Sequence, residues 1–369
     1  MPRSLPFRRV SPPGRGRRGV TLIELAIAIT LASVIVAGLY QLFIAQSRQL
    51  QFLDLQAEMN QNLRFATDIL SRTIRQAGLG TAAGTAGPLG NGGSVNDVLS
   101  PLIGHDDVGE YGADAITVVH QDPSLTLFTS TMDTYPGDTD HLTFNLDEYR
   151  HRAKLGQYSS GEYLLCSDFA NPLGMASYLW TITSIDLSDP DYGIINLGSN
   201  GAYTDYTSAM PSTRNLPLVM SCSKGEIVTF YIDDLEDGSG PGSEAHPVLM
   251  MDLDFDFPSV SDNDDIPLVD DIEDIQFQYC LQDSGGSPCT DDGSWNTTLS
   301  TSEWPWMVRV SVVARSRRDD PIGRFESTRP DLAGNTHDGT VDHYYRQLIQ
   351  TDVTLRNMRF YSNAFQDSP

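Results

Sequence analysis

Arg17-Arg18-Gly19-Val20-Thr21-Leu22-Ile23-Glu24-Leu25 opens the stretch that decides the fold. From Val20 to Ala45 the chain is almost wholly apolar, and Glu24 is its one charge. About 24 such residues, at a rise of roughly 1.5 Å each, cover about 36 Å as a helix, enough to span a bilayer. Arg3, Arg8, Arg9, Arg15, Arg17 and Arg18 all precede Gly19 with no acid among them, which predicts a leader that stays in the cytoplasm while the rest is exported. A secretory signal has a shorter apolar core and a small-residue cleavage site, which Tyr40-Gln41-Leu42-Phe43 does not supply. A carboxylate four residues into the apolar run costs a few kcal/mol unless it finds a partner, so Glu24 is the first candidate for a functional residue.

Working outward, Phe52, Leu55, Met59, Leu63, Ala66, Leu70, Ile74 and Ala77 step by threes and fours, the pattern of an amphipathic helix. Gly78 and Gly80 supply its stop. One continuous helix from about Leu22 to Ala77, roughly 84 Å long, is predicted. A Gly/Ala/Thr/Ser stretch then leads to strand-like runs at Ala115–His120, His141–Leu146, Glu162–Ser167, Leu179–Leu187 and Ile227–Ile232. Asp274–Leu281, Met307–Arg315 and Tyr344–Leu355 repeat the pattern later in the chain. The expected fold is α+β, a long N-terminal helix packed on a largely antiparallel sheet with extended loops. The expected segments are a leader over 1–19, a membrane-spanning half-helix over 20–45, an amphipathic half over 46–78 and a β-rich head over 79–369.

The totals narrow the function. The 369 residues, 40% of them hydrophobic, suffice for a substantial core. With 49 acidic against 24 basic residues the net charge is −25, and it falls to −31 without the six leader arginines. Such a body is soluble and repels nucleic-acid phosphates, so no nucleic acid is expected among its partners. An enzyme is not expected either. The sequence has no G-x-S-x-G, H-E-x-x-H or P-loop, and the seven histidines are scattered without ligand spacing, as surface or turn residues would be.

Cys166, Cys222, Cys280 and Cys289 form an even set in an exported chain, which reads as disulfides with three possible pairings. A local Cys280–Cys289 staple, leaving Cys166 with Cys222, is the simplest. No metal is assigned. Asp233, Asp237 and Glu244 partly imitate a calcium loop, but Leu235 breaks the pattern and a solvated hairpin turn is the plainer reading. Trp304, Trp306 and Met307 are noted as an aromatic cluster that is either core or a contact for another subunit.

The Arg17–Leu25 segment resembles the class III signal of type IV prepilins and type II secretion pseudopilins. Asn62–Ala66, Ile74–Gly78, Val228–Ile232, Leu268–Tyr279, Val308–Arg315 and Thr354–Asn357 resemble, in order, pieces of the PilW-type minor pilins. The resemblance implies cleavage between Gly19 and Val20 by a prepilin peptidase and methylation of the Val20 amine, though Val stands where the family usually has Phe. It also implies an inner-membrane helix with a periplasmic head that later joins a surface pilus fibre. The implied partners are other minor pilins, the major pilin and a tip adhesin, and the implied outcome is primed assembly, adhesion and twitching motility. Glu24 would set register by pairing with a neighbouring subunit's N-terminal ammonium. The alternatives are a GspJ-like pseudopilin of type II secretion, or an uncleaved membrane-tethered periplasmic binding domain.

Overall fold

The apolar-then-amphipathic pattern folds as a single helix, α1, over Leu22–Gln76. The computed structural model describes residues 20–80, 101–128, 141–147, 150–168, 176–198, 221–236, 245–253, 265–281, 295–299, 305–317, 326–332, 335, 339, 341–355 and 357. The chain divides into two compact units, Met1–Gln56 and Ala57–Pro369. In the first, α1 is long and apolar enough to cross a membrane, and its large side chains from Leu22 to Phe43 stand exposed. Thr30 and Ser33 turn their hydroxyls back onto the carbonyls of Ala26 and Thr30, at 2.7 and 2.8 Å, so neither polar group is left unpaired on the apolar helix.

In the second unit the helical spacing becomes burial. Met59, Leu63, Ala66, Leu70 and Ile74 lie on one stripe of α1 and enter one core with Ala77, just beyond the helix end. Each of the fully buried leucines and isoleucines there contributes about 1.5–3 kcal/mol. Gly78, at φ 73°, ends the helix with a conformation that a side chain would strain, and its N–H donates to Val119 O.

The remaining elements are β1 (Leu102–His105), β2 (Ala115–Phe128), β3 (His141–Asn145), a short α2 (His151–Leu155), β4 (Tyr163–Asp168), β5 (Ala176–Asp186), β6 (Tyr192–Gly198), β7 (Ser221–Glu236), β8 (Ala245–Asp252), β9 (Ile266–Asp270), β10 (Ile272–Leu281), β11 (Trp295–Asn296), β12 (Pro305–Arg315) and β13 (Arg346–Thr354). One sheet runs β1-β2-β7-β4-β5-β6-β3, with β8 joining β7 to β9, and a second runs β11-β10-β12-β13. Every one of these pairings is antiparallel. The long strand β7 pairs β4 through residues 221–225 and β8 through residues 229–236.

Two cores result. One joins the amphipathic part of α1 to Ile116, Phe230, Phe277, Val310 and Val353 on both sheets. The other gathers Leu127, Phe144, Leu164, Trp180 and Ile195 around β3–β6 and includes Cys166 and Cys222. Those two cysteines sit opposite each other on β4 and β7 and are disulfide-bonded. Cys280 is disulfide-bonded too; Cys289 lies outside the described residues.

The turn between β9 and β10 rests on Asp271, which adopts φ 62° and is only 2% exposed. Burial above all pushes its carboxyl up to about 6, against the smaller opposing pull of Arg317 and His246. A carboxyl raised in the folded state takes up its proton there at a higher pH than in the unfolded chain. Its contribution is therefore full below about pH 4 and is lost as the pH rises towards 6. Asp271→Asn keeps a residue tolerant of the left-handed conformation and removes the charge. It is expected to stabilise the protein by about 1–2 kcal/mol at pH 7 and to leave it unchanged at pH 4, as read by thermal unfolding at both values.

Candidate assembly site at the start of the helix

Val20, Thr21 and Glu24 hold the start of α1. The Glu24 carboxylate reaches back, and its Oε2 accepts both the Thr21 N–H at 2.9 Å and the Thr21 hydroxyl at 3.0 Å. The Glu24 N–H in turn donates to Thr21 Oγ1 at 3.3 Å, and Leu25 N–H donates to Thr21 O at 3.1 Å. This is a reciprocal capping box, in which two otherwise unpaired helix-start donors are satisfied and a negative charge is held at the positive end of the helix. Thr21 was not singled out from the sequence, although Thr-x-x-Glu ahead of an apolar run is the signal that finds such a box.

The arrangement fixes a carboxylate beside the Val20–Thr21 backbone. Up to Ser47 it is the single ionisable acid or base on α1 apart from the phenol of Tyr40, and Val20 itself is 73% exposed. A cation delivered to this point would find an acceptor already oriented. Gly19, the other half of the expected cleavage site, lies outside the described residues.

The other candidates are separated from this site. Asp233 stands on β7, while Asp237 and Glu244 lie outside the described residues, between the antiparallel partners β7 and β8. Trp304 is also outside them. Trp306 and Met307 are half-buried on β12, and the Trp306 indole N–H donates to Cys280 Sγ at 2.8 Å.

The histidines require a correction: His120, His151 and His246 are buried, and none of the described ones is exposed. His151 is a satisfied core residue. Its Nε2 accepts the Phe128 N–H at 3.2 Å, so its Nδ1 carries the proton it shares with Asn145 O at 2.8 Å, and its ring meets the edge of Phe144. Also unread in the sequence was Glu273, which is fully buried and bound by Arg346 and Arg329, with Arg315 at 3.9 Å.

Residues 14–40 match the prokaryotic N-terminal methylation motif, and residues 229–357 match the family described as Type IV Pilus-assembly protein W. The two matches support a PilW-type minor pilin. The PilW match takes in β8 to β13 and most of the β7 half that faces the helix-bearing core; the methylation motif takes in the capping box. The likenesses read at Asn62–Ala66 and Ile74–Gly78 fall between the two matched spans. No curated protein and no solved structure matches the chain. The helix that begins inside the methylation motif is long and apolar enough to cross a membrane, as the anchor of a pilin would be.

Proposed function

We propose that this chain is a prepilin cut between Gly19 and Val20 by a prepilin peptidase and methylated at the new Val20 amine. The 20–45 segment waits in the inner membrane with residues 46–78 and the 79–369 head in the periplasm, and then enters a growing pilus. There it works with other minor pilins and the major pilin to prime assembly at the tip, carrying a tip adhesin and so supporting adhesion and twitching motility. The observation that carries this reading is the Thr21–Glu24 box, which holds a carboxylate at the start of an apolar helix directly after Arg17-Arg18-Gly19. In lipid that charge is costly, and the methylated ammonium of a neighbouring subunit would compensate it while setting the axial register between helices.

The distribution of charge favours a low-copy position. Between Val20 and Gly78, Arg48, Arg64, Arg72 and Arg75 balance Glu24, Asp54, Glu58 and Asp68, so the whole net charge of −31 falls on residues 79–369. Identical heads of that charge repeated side by side along a filament would repel one another.

Intact-mass and N-terminal analysis of membrane-extracted protein, made with and without a prepilin peptidase, tests the reading. A peptidase-dependent start at Val20 carrying one added methyl group is expected. A retained leader in the presence of active peptidase, or a start beyond Leu39, would overturn it.

A further inference from the structure

We propose that the outer edge of β13 is a docking site for an extended segment of another protein chain, which adds to the second sheet as a further strand. β13 stands at the end of that sheet and, among the described residues, pairs with β12 alone. Just beyond the two ends of this ladder, Leu355 N–H donates to Trp306 O and Ser316 N–H donates to Tyr345 O, both at 2.8 Å. Facing residues of an antiparallel ladder alternate between bonded and unbonded pairs, and no shift in register interrupts this one. The odd-numbered residues of β13 therefore bond to β12. Arg346, Leu348, Gln350, Asp352 and Thr354 turn their N–H and C=O groups the other way, along an edge about 30 Å long.

Strand edges are ordinarily guarded by shortness, proline, lysine or a bulge. The other edges here are: β1 and β3 have four and five residues, β11 has two, and β9 combines Pro267 with a register shift against β8. β13 has nine residues and neither proline, lysine nor bulge. Its two charges are taken up by neighbouring side chains. Arg346 binds Glu273 and Asp342, and Asp352 accepts from Arg309 at 2.8 and 3.1 Å. Gln350 donates to Ser311 at 3.3 Å and Gln347 to Asn60 of α1 at 3.0 Å, so the strand is fixed before anything pairs with it.

A row of outward main-chain donors and acceptors recognises an extended backbone, and the side chains beside it select the sequence. On one face an added strand meets Leu348, 42% exposed, and on the other the half-buried Ile349 and Thr351. Because both charges of β13 are already paired, the segment that fits is uncharged and rich in β-branched or aromatic side chains. A second copy of this chain is a poor donor, since pairing two β13 edges would bring together two heads of net charge −31. The donor is a different chain, and its being another subunit of the same fibre rests on the assembly reading above.

The test places a photoreactive benzoylphenylalanine at Leu348 of the full chain, in cells that make the pilus. Irradiation is expected to give an adduct whose linked peptide maps to one uncharged segment of another subunit. Gln350→Pro and Thr354→Pro each remove an outward N–H, which an edge strand tolerates. Both purified variants should unfold at the parent's temperature, while the adduct falls at least about tenfold. Thr351→Pro removes a donor to β12 instead and should lower the unfolding temperature. No adduct, an adduct undiminished by either outward proline, or a link to a second copy or to residues 358–369 of the same chain would overturn the proposal. The N-terminus of the same samples separates the two readings. A start at Val20 without an adduct overturns the docking site alone, whereas an adduct on a chain that keeps its leader upholds the site and overturns the assembly reading.

Discussion

Glu24→Leu is expected to leave processing and membrane insertion intact while lowering the amount of this chain in sheared pili at least tenfold. In the isolated helix the carboxylate is a lone charge in an apolar stretch, and leucine would remove a cost of roughly 2.5–3.5 kcal/mol at the bilayer centre, less near its edge. The variant should therefore sit in the membrane at least as well as the parent. What it loses is the charge that a neighbour's ammonium would meet, and a tenfold loss corresponds to about 1.4 kcal/mol. Glu24→Gln separates the cap seen in the structure from the proposed pairing with a neighbour's ammonium. Its amide oxygen can still accept from Thr21, so the helix start is kept, but the charge is gone. Immunoblots of sheared and membrane fractions should show the glutamine variant excluded much as the leucine variant is. Normal incorporation of the glutamine variant would mean that Glu24 acts only as a cap.

The largest loss of stability is expected at Glu273. Glu273 is fully buried on β10, where the ladder to β12 shifts register between Ile272 and Asp274. Its oxygens accept from Arg346 at 2.5 and 2.9 Å and from Arg329 at 3.0 Å, with Arg315 at 3.9 Å. Arg346 also binds Asp342, four residues earlier, so one carboxylate gathers arginines from three separate stretches of the C-terminal third. Glu273→Gln leaves those guanidinium groups without their central counter-charge and should cost about 3–5 kcal/mol in thermal or denaturant unfolding. Replacing Glu273 and Arg346 together by methionine should recover part of that loss, because the pair also loses its desolvation penalty. A cost below about 1 kcal/mol for Glu273→Gln would show that water reaches the cluster and screens it.

Much of the architecture was readable because it rests on local periodicity. The threes and fours from Met59 to Ala77 became the buried stripe of α1, and Gly78 became its end. The eight runs read as strands all fall on observed ones, several of which are longer; β2 continues past Pro123 with a shift in register between Asp122 and Leu127, where proline's missing donor is tolerated. Three of the strands not read have a weak local signature. β9 carries Pro267, which is at home there because β9 pairs on one side only. β6 has glycines at its second and last positions, and β11 is two residues long.

The buried charges were illegible for another reason. Asp270-Asp271-Ile272-Glu273-Asp274 has the composition of a solvated turn, yet Asp271, Glu273 and Asp274 are each at most 2% exposed. For Glu273, the guanidinium groups that make this possible lie as far as 73 residues away in sequence. The Thr21–Glu24 box is the opposite case, since its signal is three residues long and entirely local.

The double use of β7 has a mechanical consequence. Its first residues are cross-linked through Cys222 to β4 in one core, and its later residues are laced to β2 and β8 over the other. A pull along this strand loads many parallel hydrogen bonds together in shear instead of peeling them one by one, and the covalent link keeps β4 from sliding off its end. Tension reaching the distal core would thus be passed to the helix-bearing core as through a spliced cable, with neither core obliged to open first.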